Sequence, residues 1–426
     1  MEDDVPYFGA PPEDYEYSAP HTQTYRPPEP PRKRGGGIIK GIVLTVLVIF
    51  LVFLLLSPQF QDLINNNVPG YGRVLPKEAE FTVERRITLS GTGDYTLDLP
   101  RVISRKNVQD VVDMKMNPYP TDSKMKYGYE WDIWEGSLGT FDREDIITIQ
   151  MRIKTSTLVW KMDSSGTVDD IPQSIKNQYT GDEWSVKEDD TALGTSDRDG
   201  DGIPDIMINP SAPQIRNLAH QIADDKPDVY SKAKAIFDYM VENFTYSTSE
   251  QMNYVQQVYG GLPKHALATL RDKWGDCDEQ SMLYISFLRA LGIPARMEMG
   301  ALYDSTKNEW GGHAWVQVYI PSTDGQGYWY NVDVVNDEFL IRDADRFTTW
   351  VDDGNGDHLD DYYHTVLYSG NIQVSDEFAA INYTSSGEIV VSSDNSVHEN
   401  PIPGFTSALF IFAAPTALFI WKRKRR

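Results

Sequence analysis

Residues 274–296 have the sequence WGDCDEQSMLYISFLRALGIPAR, and this stretch decides the fold of the chain. It opens with a Gly-Asp pair, in which Asp276 is typical of a helix N-cap. Apolar residues then occur on almost every side of the predicted helix, which indicates a helix buried in a core. Gly292 and Pro294 predict where that helix ends. Cys277, the only cysteine, therefore falls in the first helical turn, where unpaired backbone N–H groups and the helix dipole favour a thiolate.

A cysteine nucleophile needs a base and a group that orients that base. Residues 313–319 alternate in polarity after His313 and predict a strand, and residues 328–333 predict a second strand that ends in Asp333. The segment between them is rich in turn residues, so the two strands are predicted to form a hairpin. His313 and Asp333 would then lie side by side, with Cys277 facing them from the helix.

The order of these motifs resembles the transglutaminase-like superfamily, which has a papain-like thiol fold. The motifs that carry the resemblance are residues 275–280, 288–296, 313–315 and 329–333. The resemblance spans residues 210–345 and implies an α+β fold with a helix bundle and an antiparallel sheet. It also implies that Cys277 is the nucleophile, His313 the general base and acid, and Asp333 the residue that orients His313.

Taken singly, each of these residues has a simpler interpretation, since a lone cysteine is most often a small buried hydrophobe. The three together, at a helix start, on a strand and at a strand end, favour a catalytic triad. The backbone N–H of Cys277 is one natural oxyanion donor. Papain-like enzymes carry a Gln shortly before the cysteine, and none lies close before Cys277. Trp274 and Tyr246 are therefore the candidates for the second oxyanion donor.

At 426 residues the chain is long enough for two or three folded units. A basic cluster at residues 32–34 precedes an apolar run that is long enough to cross a bilayer, which places the N-terminus in the cytoplasm. Alternating segments predict a β-sandwich ahead of the thiol domain. The predicted organisation is a disordered cytoplasmic tail (1–37), a transmembrane signal-anchor (38–57), a stalk (58–80), a β-sandwich domain (81–165), a linker with a calcium loop (166–210), a transglutaminase-like domain (211–375), a second stalk (376–402) and a transmembrane or sorting segment (403–426).

The C-terminal segment has two interpretations. Pro403, Gly404 and Phe405 precede an apolar stretch and five basic residues at positions 422–426, which predicts a second transmembrane helix with a cytoplasmic C-terminus. The same arrangement resembles the Pro-Gly-Phe sorting signal of archaeal surface proteins. That resemblance implies processing by an archaeosortase-type enzyme, which removes the span and replaces it with a lipid.

Charge and cysteine content limit the classes of partner and compartment. The formal net charge is −24, with 63 acidic and 39 basic residues, which excludes nucleic acid and anionic lipid as natural partners of the acidic central region. One cysteine allows no disulfide within the chain, which for an outward-facing protein fits a prokaryotic surface. The sequence therefore predicts a protein of the cell membrane, with its main domains outside the cell.

Two acidic loops are candidates for calcium. The first matches the first nine residues of an EF-hand loop, with Gly202 at the sharp turn and Ile208 where the usual bidentate Glu would stand. Its ligands would be Asp197, Asp199, Asp201, the carbonyl of Ile203, and Asp205. The second loop has His358 in place of the glycine, and its ligands would be Asp353, Asn355, Asp357 and Asp361. A plain acidic loop is the alternative at both places, and no organic cofactor is predicted.

The sequence thus predicts a membrane-anchored extracellular thiol enzyme that attacks peptide or side-chain amide bonds of a protein or peptide at the cell surface. Hydrolysis by water is favoured over transfer to a lysine amine, because no groove for an acceptor is legible in the sequence. The alternative is a non-catalytic, calcium-dependent surface-binding module that carries a relic triad.

Overall fold

The computed structural model describes residues 72–185, 196–305, 307–322, 326–392 and 394–398. The predicted tail (1–37), both predicted membrane segments (38–57 and 403–426) and the sorting motif lie outside these ranges. Within them, no helix is both long enough and apolar enough to span a bilayer.

The described ranges contain seven α-helices and eighteen strands. The strands are β1 (Arg73–Pro100), β2 (Gln109–Asn117), β3 (Asp122–Lys126), β4 (Tyr129–Ser156), β5 (Leu158–Val159), β6 (Glu183–Ser185), β7 (Ile206–Ile208), β8 (Thr245–Tyr246), β9 (Trp274–Gly275), β10 (Ala295–Asp304), β11 (Glu309–Pro321), β12 (Gly327–Asp333), β13 (Glu338–Phe339), β14 (Ile341–Arg342), β15 (Arg346–Val351), β16 (Val366–Tyr368), β17 (Asn371–Val391) and β18 (Val397–His398). The helices are α1 (Gln173–Tyr179), α2 (Pro213–Ala223), α3 (Val229–Asn243), α4 (Ser249–Tyr259), α5 (Ala266–Asp272), α6 (Cys277–Ala290) and α7 (Gly356–Tyr363).

The longest strands form a seven-stranded antiparallel sheet in the order β18-β17-β1-β4-β2, with β16 paired to β1 and β3 paired to β4. Alternating residues of β1, such as Phe81, Val83 and Leu89, are fully buried, which is the period of two that a strand with one covered face requires. The prediction of a self-contained β-sandwich over residues 81–165 is wrong. These residues make one sheet, and its longest added strand comes from the other end of the chain.

The two predicted stalks are also partly wrong. β1 begins at Arg73, inside the range 58–80, and β17 runs to Val391, inside the range 376–402. The side chains of β17 are mostly exposed and polar, which gives the composition of a solvated linker although the backbone is paired to β1 along its whole length. Composition alone therefore does not separate an edge strand from a stalk.

The second sheet has five antiparallel strands in the order β13-β12-β11-β10-β15. The predicted hairpin is confirmed, since β11 and β12 pair from Val316 with Val332 to Pro321 with Gly327. Side chains of β10, β11 and β15 share a core with β1 and β4 of the long sheet. The core residues that these three strands contribute are Ala301, Tyr303, Trp310 and Phe347. The long sheet thus packs on the sheet that carries His313.

The predicted central helix is confirmed as α6. Twelve of its 14 residues are buried, and it packs against α2, α3, α5 and the five-stranded sheet in one apolar cluster. The helix ends at Ala290 with Leu291 as its C-cap, and Gly292 follows with φ +74°, a left-handed conformation that glycine adopts without strain.

The second predicted calcium loop is instead largely helical, because α7 begins at Gly356. Asn355 caps that helix by accepting from the backbone N–H of Asp357, and Asp353 pairs with His358 at 2.9 Å. Asp361 accepts from Tyr127 Oη at 2.5 Å. Three of the four predicted ligands thus serve the helix cap or a neighbouring side chain.

Candidate functional site

Cys277 is held by a reciprocal cap at the first residue of α6. The Asp276 carboxylate accepts from the backbone N–H groups of Asp278 and Glu279, and Glu279 Oε2 accepts from the backbone N–H of Asp276 at 3.1 Å. A Cβ atom at Gly275 would lie 2.9 Å from Glu279 Cβ, which explains the glycine before the cap. The cap fixes the helix start and with it the position of Cys277, a buried residue that is 7% exposed.

His313 and Asp333 lie on the neighbouring strands β11 and β12. His313 Nε2 lies 2.7 Å from Asp333 Oδ2, so Nδ1 is the ring nitrogen left for a thiol. The residue after His313 reaches the cysteine, because a backbone hydrogen bond from Ala314 falls on Cys277. The strand that carries His313 therefore contacts the cysteine at the next residue, and the side chains of Cys277 and His313 line the same cavity.

Asp333 is one member of a buried polar cluster that the sequence does not reveal. Arg346 Nη1 donates to Asp333 Oδ2 at 2.8 Å, and Asn336 Nδ2 donates to the same oxygen at 2.8 Å. Burial raises the pKa of Asp333, but His313, Arg346 and the hydrogen bonds outweigh it and hold that pKa well below the usual range. Asp333 is therefore a fixed negative charge behind the imidazole.

Cys277 and His313 open into one cavity of about 380 Å³. Its lining residues outside the triad include Tyr246, Asp278, Gly312 and Tyr363, together with Arg85 and Asp376 of the long sheet. Of the two predicted oxyanion candidates, Tyr246 lines this cavity and is half-exposed. Trp274 does not line it, since its ring packs under Lys264, whose Nζ lies 3.0 Å from the ring centroid.

Asp278 is the group in hydrogen-bond contact with the thiol. Cys277 Sγ donates to Asp278 Oδ1 at 3.4 Å, and Tyr363 Oη of α7 donates to Asp278 Oδ2 at 2.7 Å. Burial raises the pKa of the Cys277 thiol, and the carboxylates of Asp278 and Asp276 raise it further, while the Ala314 backbone opposes them. The thiolate expected from the helix start alone is therefore opposed by two neighbouring acids.

The pKa values of Asp276 and Asp278 are themselves raised in the buried site. Burial, with Asp278 and Glu279 nearby, raises the pKa of Asp276 to about 8. Burial also raises the pKa of Asp278, against the hydrogen bonds from Tyr363 and Cys277. Asp278 is an acidic residue directly after the cysteine in a helix whose later turns are mainly apolar, which is a signal that the sequence does contain. Tyr363 lies 85 residues away from it in the chain, and nothing in its local sequence links the two.

Residues 216–334 match the family model of the transglutaminase-like superfamily. This segment is a transglutaminase-like domain. It contains all three members of the predicted triad and both predicted oxyanion candidates.

One protein sequence and two solved structures show similarity to this chain. The uncharacterized protein YebA of Bacillus subtilis (strain 168) is 30% identical over 138 residues, which is 27% of this chain and 17% of YebA. A Cytophaga hutchinsonii protein assigned as a cysteine protease superposes with a TM-score of 0.49 and 17% identity, covering 72% of this chain and 91% of the other. The periplasmic domain of TgpA from Pseudomonas aeruginosa has a TM-score of 0.28 and 11% identity, covering 60% and 88%.

The acidic loop 197–205 lies just before the transglutaminase-like domain and has the hydrogen bonds of an ion-binding turn. Asp197 Oδ2 accepts from the backbone N–H of Gly202 at 2.9 Å, and Asp201 Oδ1 accepts from that of Ile203 at 2.9 Å. Each of these carboxylates has a second oxygen. In Asp197 and Asp205 this second oxygen, Oδ1, is buried without a hydrogen-bond partner. Oxygen atoms of Asp197, Asp199 and Asp201 lie within 4.8 Å of one another.

His265 lies at the same loop but has the wrong tautomer to bind a metal. Its Nδ1 accepts from the backbone N–H of Ala268 as the N-cap of α5, so in the neutral ring the proton is on Nε2. That nitrogen lies 3.6 Å from Asp205 Oδ1 and 3.8 Å from Asp199 Oδ2. His265 therefore faces the carboxylates as a donor, while Arg271 pairs with Asp199 and with Asp201 on the solvent side.

Proposed function

We propose that this protein is a membrane-anchored thiol enzyme of the cell surface that cleaves amide bonds through Cys277, His313 and Asp333. The observation that supports it most is the contact of His313 Nε2 with Asp333 at 2.7 Å, which leaves Nδ1 for the thiol in the cavity that Cys277 and His313 share. The anchoring and the outward orientation rest on the two apolar segments of the sequence, 38–57 and 403–426.

The proposed chemistry uses these groups in order. His313 Nδ1 takes the thiol proton as Cys277 Sγ attacks the carbonyl carbon, and the imidazolium then gives that proton to the leaving amine. Asp333 holds the ring and stabilises its positive charge. The backbone N–H of Cys277 is one donor to the oxyanion, and Tyr246 is the second. Burial and nearby negative groups raise the pKa of Tyr246, so its hydroxyl stays protonated and able to donate.

Water resolves the acyl-enzyme in our proposal, and a lysine amine would resolve it in a cross-linking enzyme. Incubation with casein and a fluorescent primary amine separates the two outcomes. Fragments without incorporated label support hydrolysis, whereas labelled and intact casein shows amine transfer.

The alkylation rate of Cys277 against pH, measured with iodoacetamide on the full-length chain, tests the proposal. We expect His313→Ala to move the profile to higher pH by about one pH unit or more, because the imidazolium that stabilises the thiolate is lost. Asp278→Asn is expected to move it to lower pH by a similar amount, because a negative charge next to the thiol is removed.

One observation favours the non-catalytic alternative, namely the raised pKa of the Cys277 thiol beside Asp278. The two interpretations differ in the His313→Ala profile. A Cys277 thiol that is alkylated only at alkaline pH, with the same pH profile in wild type and in His313→Ala, would be evidence for a binding module with a relic triad.

We also propose that the loop 197–205 binds calcium as a structural ion. The buried second oxygen of Asp197 supports this, because a buried carboxylate oxygen without a partner is costly unless a cation or donor meets it. The ion would fix the loop against α5, and α5 leads directly into the turn before Cys277.

Calcium is accordingly expected to raise the melting temperature of the full-length chain relative to chelator. At about 100-fold excess over the dissociation constant, binding stabilises a fold by about 2.7 kcal/mol. Asp197→Asn should abolish the calcium-dependent shift, since the amide keeps the contact with Gly202 but removes the charge. Asp357→Asn, in the helix that replaces the second predicted loop, is the matched control and should retain the shift. An equal shift in both variants would disprove calcium binding at this loop.

A further inference from the structure

The cavity that holds Cys277 and His313 continues into a second cavity of about 500 Å³. Gly312, Asp376 and Phe378 line both, so the two form one groove that leads away from the thiol. The groove runs between the start of β11 and the middle of β17. Its far wall thus comes from the long sheet, outside the transglutaminase-like domain.

Two continuous strand segments line the second cavity. Its lining consists of two runs of five consecutive residues, 308–312 and 376–380. Successive side chains of a strand point to opposite faces, so five in a row line one cavity only where the backbone itself faces it. The backbone is also uncovered at Gly311 and Gly312, since a Cβ atom built on either residue meets nothing within 4 Å.

Both strand segments have an unpaired edge within the described ranges. β17 pairs with β1 along one side, and on the other side only Val390 and Val391 pair, with β18. β11 pairs with β10 from Glu309 onward but with β12 only from Val316 onward. Unpaired edges present rows of N–H and C=O groups that another strand can meet.

We propose that this groove binds the substrate as an extended polypeptide strand, paired through its backbone to the open edges of β11 or β17 and leading its scissile amide to Cys277. The inference rests on the proposed function and deepens it, because it specifies a polypeptide main chain over a small amide or an isolated side chain. Main-chain hydrogen bonds then supply affinity, as they do when a peptide adds to a sheet edge.

The test compares two neutral inactivators of the full-length chain, an acetylated tetra-alanine vinyl sulfone and its single-alanine analogue. Neutral probes avoid the charges of Glu309, Glu377 and the Arg85–Asp376 ion pair in the groove. The tetrapeptide is expected to inactivate at least tenfold faster, and N-methylation of its inner amides should remove most of that advantage.

Gly312→Val is the decisive variant, because its side chain would enter open space in the groove. It should bring the ratio of the two inactivation rates close to one. Gly139→Val, on β4, also meets nothing within 4 Å and lies outside both cavities, so it should retain the wild-type ratio. Equal inactivation rates for the two probes in the wild type, or a rate ratio that Gly312→Val leaves unchanged, would overturn the proposal that the groove binds an extended polypeptide. Failure of both probes to react in a His313-dependent manner would instead overturn the proposed function.

Discussion

Asp333→Asn is expected to lower kcat for amide hydrolysis by about 10³- to 10⁴-fold, the size of effect that the corresponding charge-removing change has in a serine protease triad. The Asp333 carboxylate accepts from His313 Nε2, from Arg346 and from Asn336. An amide in its place can donate to Nε2. The ring proton would then lie on Nδ1, and the imidazole could no longer accept the proton of the Cys277 thiol.

The measurement is steady-state hydrolysis of a casein-derived peptide by wild type and variant, with circular dichroism to verify folding. Asp343→Asn is the matched control, because Asp343 also pairs with Arg346, at 2.7 Å, but the structure shows no contact between it and His313. That control should stay within about tenfold of wild type, since its charge does not set the tautomer of the base. A kcat above one-tenth of wild type in Asp333→Asn would show that His313 is not oriented by this carboxylate.

Local signals explain the parts of the fold that the sequence predicts. The helix from Cys277 and the hairpin of His313 and Asp333 each depend on residues a few positions apart, whose caps, turns and alternation can be seen directly. These two elements contribute Cys277 and His313 to the lining of the cavity. The order of the motifs led to the predicted catalytic roles of these residues, and the family match over residues 216–334 supports a transglutaminase-like domain at the same place.

Long-range pairing explains what the sequence does not predict. Strand β17 pairs with β1 at Asp376 and Ile87, almost 290 positions apart, and its exposed polar side chains have the composition of a linker. Tyr363 contacts Asp278 and Arg346 contacts Asp333, and no local sequence pattern predicts either contact. Such partners can be found only once the sheet order is known.

Arg346→Met is expected to destabilise the fold by about 3–5 kcal/mol, because it removes one partner of a buried ion cluster and leaves the others unpaired. Arg346 is fully buried and donates to Asp333 at 2.8 Å, Asp343 at 2.7 Å and Glu338 at 2.5 Å. Without it, three carboxylates remain with fewer cations, and burial already raises the pKa of Glu338 well above its usual value. Urea unfolding of the full-length chain, followed by circular dichroism, measures the loss. Lys161→Met removes the exposed ion pair with Asp394 and should leave the free energy of unfolding close to that of wild type.

The loss in Arg346→Met should also depend on pH in a defined direction. Removing the guanidinium raises the pKa of the folded carboxylates above their unfolded values, so the folded variant binds more protons than the unfolded chain near neutrality. Stability then falls as pH rises, and the difference from wild type should be larger at pH 7 than at pH 5. An equal loss of stability at pH 5 and pH 7 would mean that the charge of Arg346 contributes little to the free energy of unfolding. The methionine would then be accommodated by repacking around Trp315, whose ring lies 5.1 Å from the guanidinium carbon of Arg346.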